Sequence, residues 1–178
     1  GQQVETDLYR RSRVLLRRKG ITSRAVKRGD VFSIGSIRAE VLGPPPCPSC
    51  HGIDSENGRS VVLRVVYGET RFLLSGDIEA GAEQDLVESY GAQLSSRVVK
   101  VPHHGSETSS TDPFVQAVTD SAKGTVAVVS VGASNQFGMP DEEVLSRWRQ
   151  SSSVHTTSRR GAVWIRSSGK EAWVVQWQ

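Results

Sequence analysis

The pair His103-His104 follows a β-branched run, Val98-Val99-Lys100-Val101, that stops at Pro102. It is followed by Gly105-Ser106, with Ser109 and Ser110 close behind. Neutral imidazole is the commonest protein metal ligand, and histidine is the side chain best suited to proton transfer near neutral pH. Loops at strand ends are where rigid scaffolds carry their chemistry. The plainer alternative is that both rings satisfy hydrogen bonds at a turn. A second run, Phe72-Leu73-Leu74, ends in Ser75-Gly76-Asp77. If the two strands are neighbours in one sheet, a carboxylate and one or two imidazoles converge at a common edge. That donor set suits a hydrolytic zinc or manganese, with the carboxylate able to bridge two ions. Asp77 also has an ordinary role open to it, capping a helix that starts at residue 78.

The elements around these residues can be read from pattern. Residues 6–19 predict a helix, with Leu8, Leu15 and Leu16 among arginines and Gly20 closing it. Residues 31–34 and 37–42 alternate about Gly35-Ser36 and predict a hairpin. A long loop rich in Pro, Gly, Ser and Cys spans residues 43–59. Strands at 61–66 and 71–74 then form a second hairpin, and a helix runs from about 79 to 90. The strand at 97–101, a helix near 112–119, a strand at 125–131, a loop at 132–140 and a helix at 141–149 follow. Strands at 154–156, 162–166 and 172–177 complete the chain. Alternation in the middle with hairpins at both ends predicts a single mixed α/β layered domain over residues 1–178.

At 178 residues the chain can bury a real core, and its charged and apolar fractions are those of a globular rather than a disordered protein. No apolar run is long enough to span a membrane. The chain begins at Gly1 with no signal peptide in view, so the expectation is a piece excised from a longer protein. Its net charge of +3 is uneven. Arg10, Arg11, Arg13, Arg17, Arg18, Lys19, Arg24, Lys27 and Arg28 face only Glu5, Asp7 and Asp30 within the first thirty residues. Such a segment suits a phosphate backbone, or else is a solvated helix face. Cys47-Pro48-Ser49-Cys50-His51 spells the c-type haem attachment pattern. The prolines around and inside it make an exposed loop, with a local disulfide or free thiols, the better reading; no haem is expected.

The ordered set Asn57-Gly58-Arg59-Ser60-Val61-Val62-Leu63, Leu73-Leu74-Ser75-Gly76-Asp77-Ile78 with Glu83, and Lys100-Val101-Pro102-His103-His104-Gly105-Ser106 carries a family likeness. Ser130-Val131-Gly132 with Asn135, and Thr157 ahead of Gly161-Ala162-Val163, continue it. Together they resemble the metallo-β-lactamase-like domain of the ComEC competence proteins, from about residue 6 to 177. The resemblance implies an αββα sandwich with a metal centre at one sheet edge, holding one or two ions of zinc or manganese. It implies a domain of a polytopic bacterial membrane protein at the cell envelope that passes one DNA strand inward. In that family the lactamase-like domain is proposed to degrade the other strand.

By the same likeness Asp77 is the bridging carboxylate and one or both of His103 and His104 are metal ligands. Asp77, His104 and Lys100 are then the catalytic set. Lys100, Ser106, Ser109, Ser110 and Asn135 become phosphate contacts, with Arg10, Arg13 and Arg17 holding DNA without reading its sequence. Two departures stand against this. The family's His-x-Asp-x-Asp-His cluster is absent from the chain, which leaves the metal sphere and the N-terminal part of the sandwich incomplete. Met139 stands where the family usually has histidine, and a thioether is a poor ligand for a hard hydrolytic metal. The chain therefore reads as the C-terminal portion of an active domain, with a degenerate version second. Two rival functions remain: a lactamase-fold hydrolase of a small ester, lactone or phosphodiester, and a non-catalytic DNA-binding or assembly module.

Overall fold

In the computed structural model, which describes residues 6–51 and 53–175, the Thr6 hydroxyl accepts a hydrogen bond from the Tyr9 amide (3.2 Å) and opens helix α1 (Asp7–Arg18). None of the residues of α1 is buried. Beyond it, β1 (Val31–Ile34), β2 (Ile37–Gly43), β3 (Val62–Tyr67) and β4 (Thr70–Leu74) form an antiparallel meander. From there the chain alternates: α2 (Ala80–Tyr90), β5 (Val98–Lys100), α3 (Asp112–Val118), β6 (Thr125–Val129), α4 (Glu142–Arg149) and β7 (Ser152–Thr156). Strands β4 to β7 pair in parallel, so one seven-stranded sheet runs in sequence order from β1 to β7.

The central parallel strands β5 and β6 are short and mostly apolar because both of their faces are covered. On one face Leu73, Val99, Ala127 and Val129 pack against Leu86, Phe114, Val118 and Trp148 of the three crossover helices. On the other, Phe72, Val98 and Val126 are covered by a hairpin of β8 (Trp164–Ser167) and β9 (Ala172–Val175), through Ile165, Ala172 and Val174. The result is the layered α/β arrangement expected from the alternation of elements. A short helix, α5 (Thr157–Arg160), joins β7 to that hairpin.

The hairpin is fastened to the main sheet at its turn. The Glu69 amide donates to the Gly169 carbonyl at 2.6 Å, and the Ser167 hydroxyl donates to that of Thr70 at 3.0 Å. A Cβ on Gly68 would lie 2.5 Å from the same Gly169 oxygen, so the two turns touch where only hydrogen fits.

Element ends differ from expectation in a few places. β7 starts at Ser152 rather than 154, β6 stops at Val129 rather than 131, and β8 starts at Trp164 rather than 162. The last strand was expected to reach 177; residues 176–177 lie outside the described set. The loop at 43–59 carries two short 3₁₀ turns, Pro48–His51 and Asn57–Arg59. Cys47 is disulfide-bonded, and the Cys50 and His51 side chains lie outside the described set. Among the described residues no helix is long and apolar enough to cross a membrane.

Candidate active site

Strands β4 and β5 lie side by side in parallel with Leu74 opposite Lys100, so the segments that follow them open on the same edge. After β4 the chain turns at Gly76, whose φ of +61° suits glycine, and a Cβ there would come within 2.6 Å of the Ser60 Cβ. The Ser60 hydroxyl accepts from the Asp77 amide at 3.1 Å. Asp77 does not cap the next helix: Glu79 holds that position, with α2 starting at Ala80. The Asp77 carboxylate is thereby left to the site.

After β5 the Val101 amide still pairs with the Val128 carbonyl at 2.8 Å, and Pro102, which has no N–H, ends the ladder. His103 and His104 then both take left-handed backbone, with φ of +45° and +56°, and Gly105 continues it at +81°. Non-glycine residues in this region are uncommon, and such strain gathers at functional sites. The surroundings hold it in place. Ser109 donates to the carbonyls of Pro102 (3.1 Å) and Ser106 (3.0 Å). The buried Glu83 carboxylate accepts from the amides of Ser110 (2.5 Å) and Thr111 (2.8 Å) and from the Thr111 hydroxyl (2.8 Å). Burial pushes the Glu83 carboxyl up, and those three hydrogen bonds and Arg147 pull it part of the way back.

The two histidines face different partners. His104 Nδ1–H donates to the Ser130 carbonyl at 2.5 Å, and the opposite ring nitrogen, Nε2, lies 3.6 Å from Asp77 Oδ2. A ring nitrogen oriented by a backbone carbonyl is the usual arrangement of a metal-ligating histidine. Asp77 and His104 are the two side chains that would hold a metal ion here. The other Asp77 oxygen, Oδ1, lies 3.3 Å from Lys100 Nζ, which also donates to the Gly76 carbonyl at 2.7 Å. His103 is turned elsewhere. Its Nε2 accepts from the Asn57 amide (3.2 Å) and its Nδ1–H donates to Thr108 (3.1 Å). Thr108 donates in turn to Glu79 (3.3 Å), which also accepts from Ser55.

The cluster is therefore Asp77, Lys100 and His104. The expected trio of Asp77, His103 and His104 is not brought to one point, because both nitrogens of His103 are engaged on the side of Asn57 and Thr108. Among the described residues no three His, Cys, Asp or Glu side chains gather closely enough to hold a metal ion. Asp77 and His104 fit as two donors of a coordination sphere, and among the described residues no third stands beside them.

The expected phosphate contacts fare unevenly. Lys100 stands in the cluster. Ser106 is buried against Thr108, with their hydroxyls 3.2 Å apart. Ser109 and Ser110 are buried as well; the Ser110 hydroxyl accepts from the indole N–H of the fully buried Trp148 at 3.0 Å. Their hydroxyls fasten the loop from inside and are closed off from a phosphate. Asn135 organises its own loop: its side chain accepts from the amides of Phe137 and Met139 and donates to the carbonyls of Gly132 and Met139. Arg10, Arg13 and Arg17 lie on α1, outside the cluster, and Arg13 turns over Tyr9 of its own helix.

Sequence reasoning missed the Ser130 carbonyl, which no side chain announces, and the clamping role of Glu83. For Glu83 a signal existed: a lone glutamate on the inner face of a predicted helix needs partners.

No family model matches the chain, and no solved structure matches it. Curated proteins do. The chain is 32% identical over 152 residues to ComE operon protein 3 of Bacillus subtilis, an alignment that takes in 84% of this chain and 18% of that protein. It is 43% identical over 94 residues to Competence protein ComA of Neisseria gonorrhoeae, covering 53% of this chain and 13% of that protein. It is 34% identical over 110 residues to Recombination protein 2 of Haemophilus influenzae, covering 61% and 13%. The chain thus spans less than a fifth of the length of these relatives. By these relatives the chain belongs to the ComEC-like competence proteins.

Proposed function

We propose that this chain is part of a metal-dependent hydrolase domain in a DNA-uptake protein of the bacterial cell envelope, cutting the phosphodiester backbone of the strand that is not carried inward. The observation that carries the reading is the pairing of His104 Nε2 with Asp77 Oδ2 at 3.6 Å, with Nδ1–H fixed on the Ser130 carbonyl. Asp77 and His104 would hold a zinc or manganese ion together with donors from outside the described residues. Bound there, the ion would make hydroxide available from water at neutral pH and offset phosphate charge. Lys100 keeps one Asp77 oxygen engaged and presents an ammonium where a phosphate oxygen would lie. In hydrolysis the water oxygen bonds to phosphorus, one P–O ester bond breaks, and the departing sugar oxygen takes up a proton. The relatives' names, competence and recombination proteins, support DNA as the polymer. The membrane-embedded remainder of such a protein would be this domain's partner.

A non-catalytic DNA-binding role is favoured by one observation: Met139 lines the cleft beside His104, where the family's histidine would add a nitrogen donor. One experiment separates the two. The chain is produced together with the sequence that flanks it in its gene, loaded with Zn²⁺ or Mn²⁺, and incubated with labelled single- and double-stranded DNA. Cleavage that disappears with EDTA, and that falls at least 100-fold in Asp77→Asn, is the expected result. A protein that retains its metal and leaves both substrates intact overturns the hydrolase reading.

A further inference from the structure

Beside His104 lies an open cleft of about 540 Å³, within the size range of small-ligand sites. His104, Thr157, Asn135, Phe137 and Met139 are among the residues that line it. Among the described residues that line it there is no carboxylate to repel a polyanion. Phe137 is 71% exposed, yet its loop is not loose. The four Asn135 hydrogen bonds close the loop on itself, and the Asp141 amide ties its far end to the Gly105 carbonyl at 2.8 Å. An exposed aromatic ring thus lines the cleft, and that cleft shares His104 with the Asp77–Lys100–His104 cluster.

We propose that this cleft is a nucleobase subsite, and that Phe137 stacks on one unpaired base of a single DNA strand whose phosphate lies at Lys100 and His104. The proposal rests on the reading of DNA as the substrate polymer and adds the form of that DNA. A base within a duplex must first leave its stack to enter a side cleft, at a cost in unstacking energy, so a single strand or a frayed end is the favoured occupant. Stacking on one ring accepts any base, because every base has a π-face, and so the subsite adds affinity without sequence preference.

The test reads binding, with metal chelated so that nothing is cut. The full chain is titrated by fluorescence anisotropy into a labelled oligo-dT strand, a strand of equal length made of abasic sites, and a duplex. Free thymidine monophosphate is added as competitor, to separate a base carried on a strand from a free nucleotide. Oligo-dT is expected to bind more tightly than the abasic strand. Phe137→Ala should weaken oligo-dT roughly 10-fold, as expected for loss of one base–aromatic stack. It should leave the abasic strand and the duplex unchanged, and Phe137→Trp should restore wild-type affinity. Equal binding of dT and abasic strands, an equal loss on both in Phe137→Ala, or full competition by the free nucleotide overturns the proposal. Base-dependent binding without cleavage in the metal-loaded assay would remove the hydrolase reading and leave the subsite standing. Cleavage that Phe137→Ala leaves unaltered on single strands, with no base-dependent binding, would remove the subsite alone.

Discussion

Glu83 sets the posture of the histidine loop without touching a histidine. Glu83→Gln replaces one acceptor oxygen by an NH₂ that must face an amide or a hydroxyl donor. Unfolding by denaturant should therefore show a loss of about 1–3 kcal/mol. The pH dependence has a definite sign. The folded carboxyl titrates above its ordinary value of 4.5, so the stability that its protonated form contributes is complete below that value and is lost as pH rises through the raised one. Stability profiles of wild type and Glu83→Gln should differ in slope over that interval and run parallel above it. The same residue scale shows what side-chain type reveals. Asp77, Lys100 and His104 were legible because each stands at or just after the end of a β-branched or apolar run. Ser109 and Ser110 were not, since a serine that braces a loop from within is spelled like one that meets a ligand. His103 and His104 are identical in type, and only their partners, Asn57 with Thr108 against the Ser130 carbonyl, tell them apart. On the proposed reading, metal content measured after gel filtration should fall to background in His104→Ala and persist in His103→Ala.

At the scale of elements, the site depends on two adjacent parallel strands and on how sharply each chain segment leaves its strand. Gly76→Ala would combine a left-handed φ of +61° with a contact of 2.6 Å to Ser60. A loss of about 2–3 kcal/mol is expected, measurable by thermal or chemical unfolding. The Asp77 side chain would shift with it. The sequence left open whether β4 and β5 are neighbours; the structure pairs them in parallel, across the helical crossover that such a pairing requires. The four-residue α5 was not legible, being too short to display a helical period. Helix α1 was read correctly as a helix but for a reason the fold does not use: its apolar positions, Leu8 and Leu15 among them, are exposed in this chain.

Seen as one body, the molecule joins a meander, a parallel α/β unit and a C-terminal hairpin, with a basic helix that adds almost nothing to the core. Breaking α1 with Val14→Pro should therefore change unfolding free energy by less than about 0.5 kcal/mol, as expected for surface changes away from the core. If Arg10, Arg13 and Arg17 each meet a phosphate, neutralising all three should reduce the slope of log affinity against log salt by about 0.9 per arginine. An unchanged slope would take α1 out of the DNA contact. The fastening of the hairpin turn by the Glu69 amide gives the molecule a built-in reporter. That proton is held by a carbonyl from the far end of the chain rather than by its own strand pair. Its hydrogen exchange therefore times the release of the β8–β9 hairpin, while the amides of β5 time the opening of the sheet itself. In Ser167→Ala the Glu69 proton should exchange faster while those of β5 keep their protection, so that departure of the hairpin becomes a separate event, measurable one proton at a time, within a sheet that stays closed.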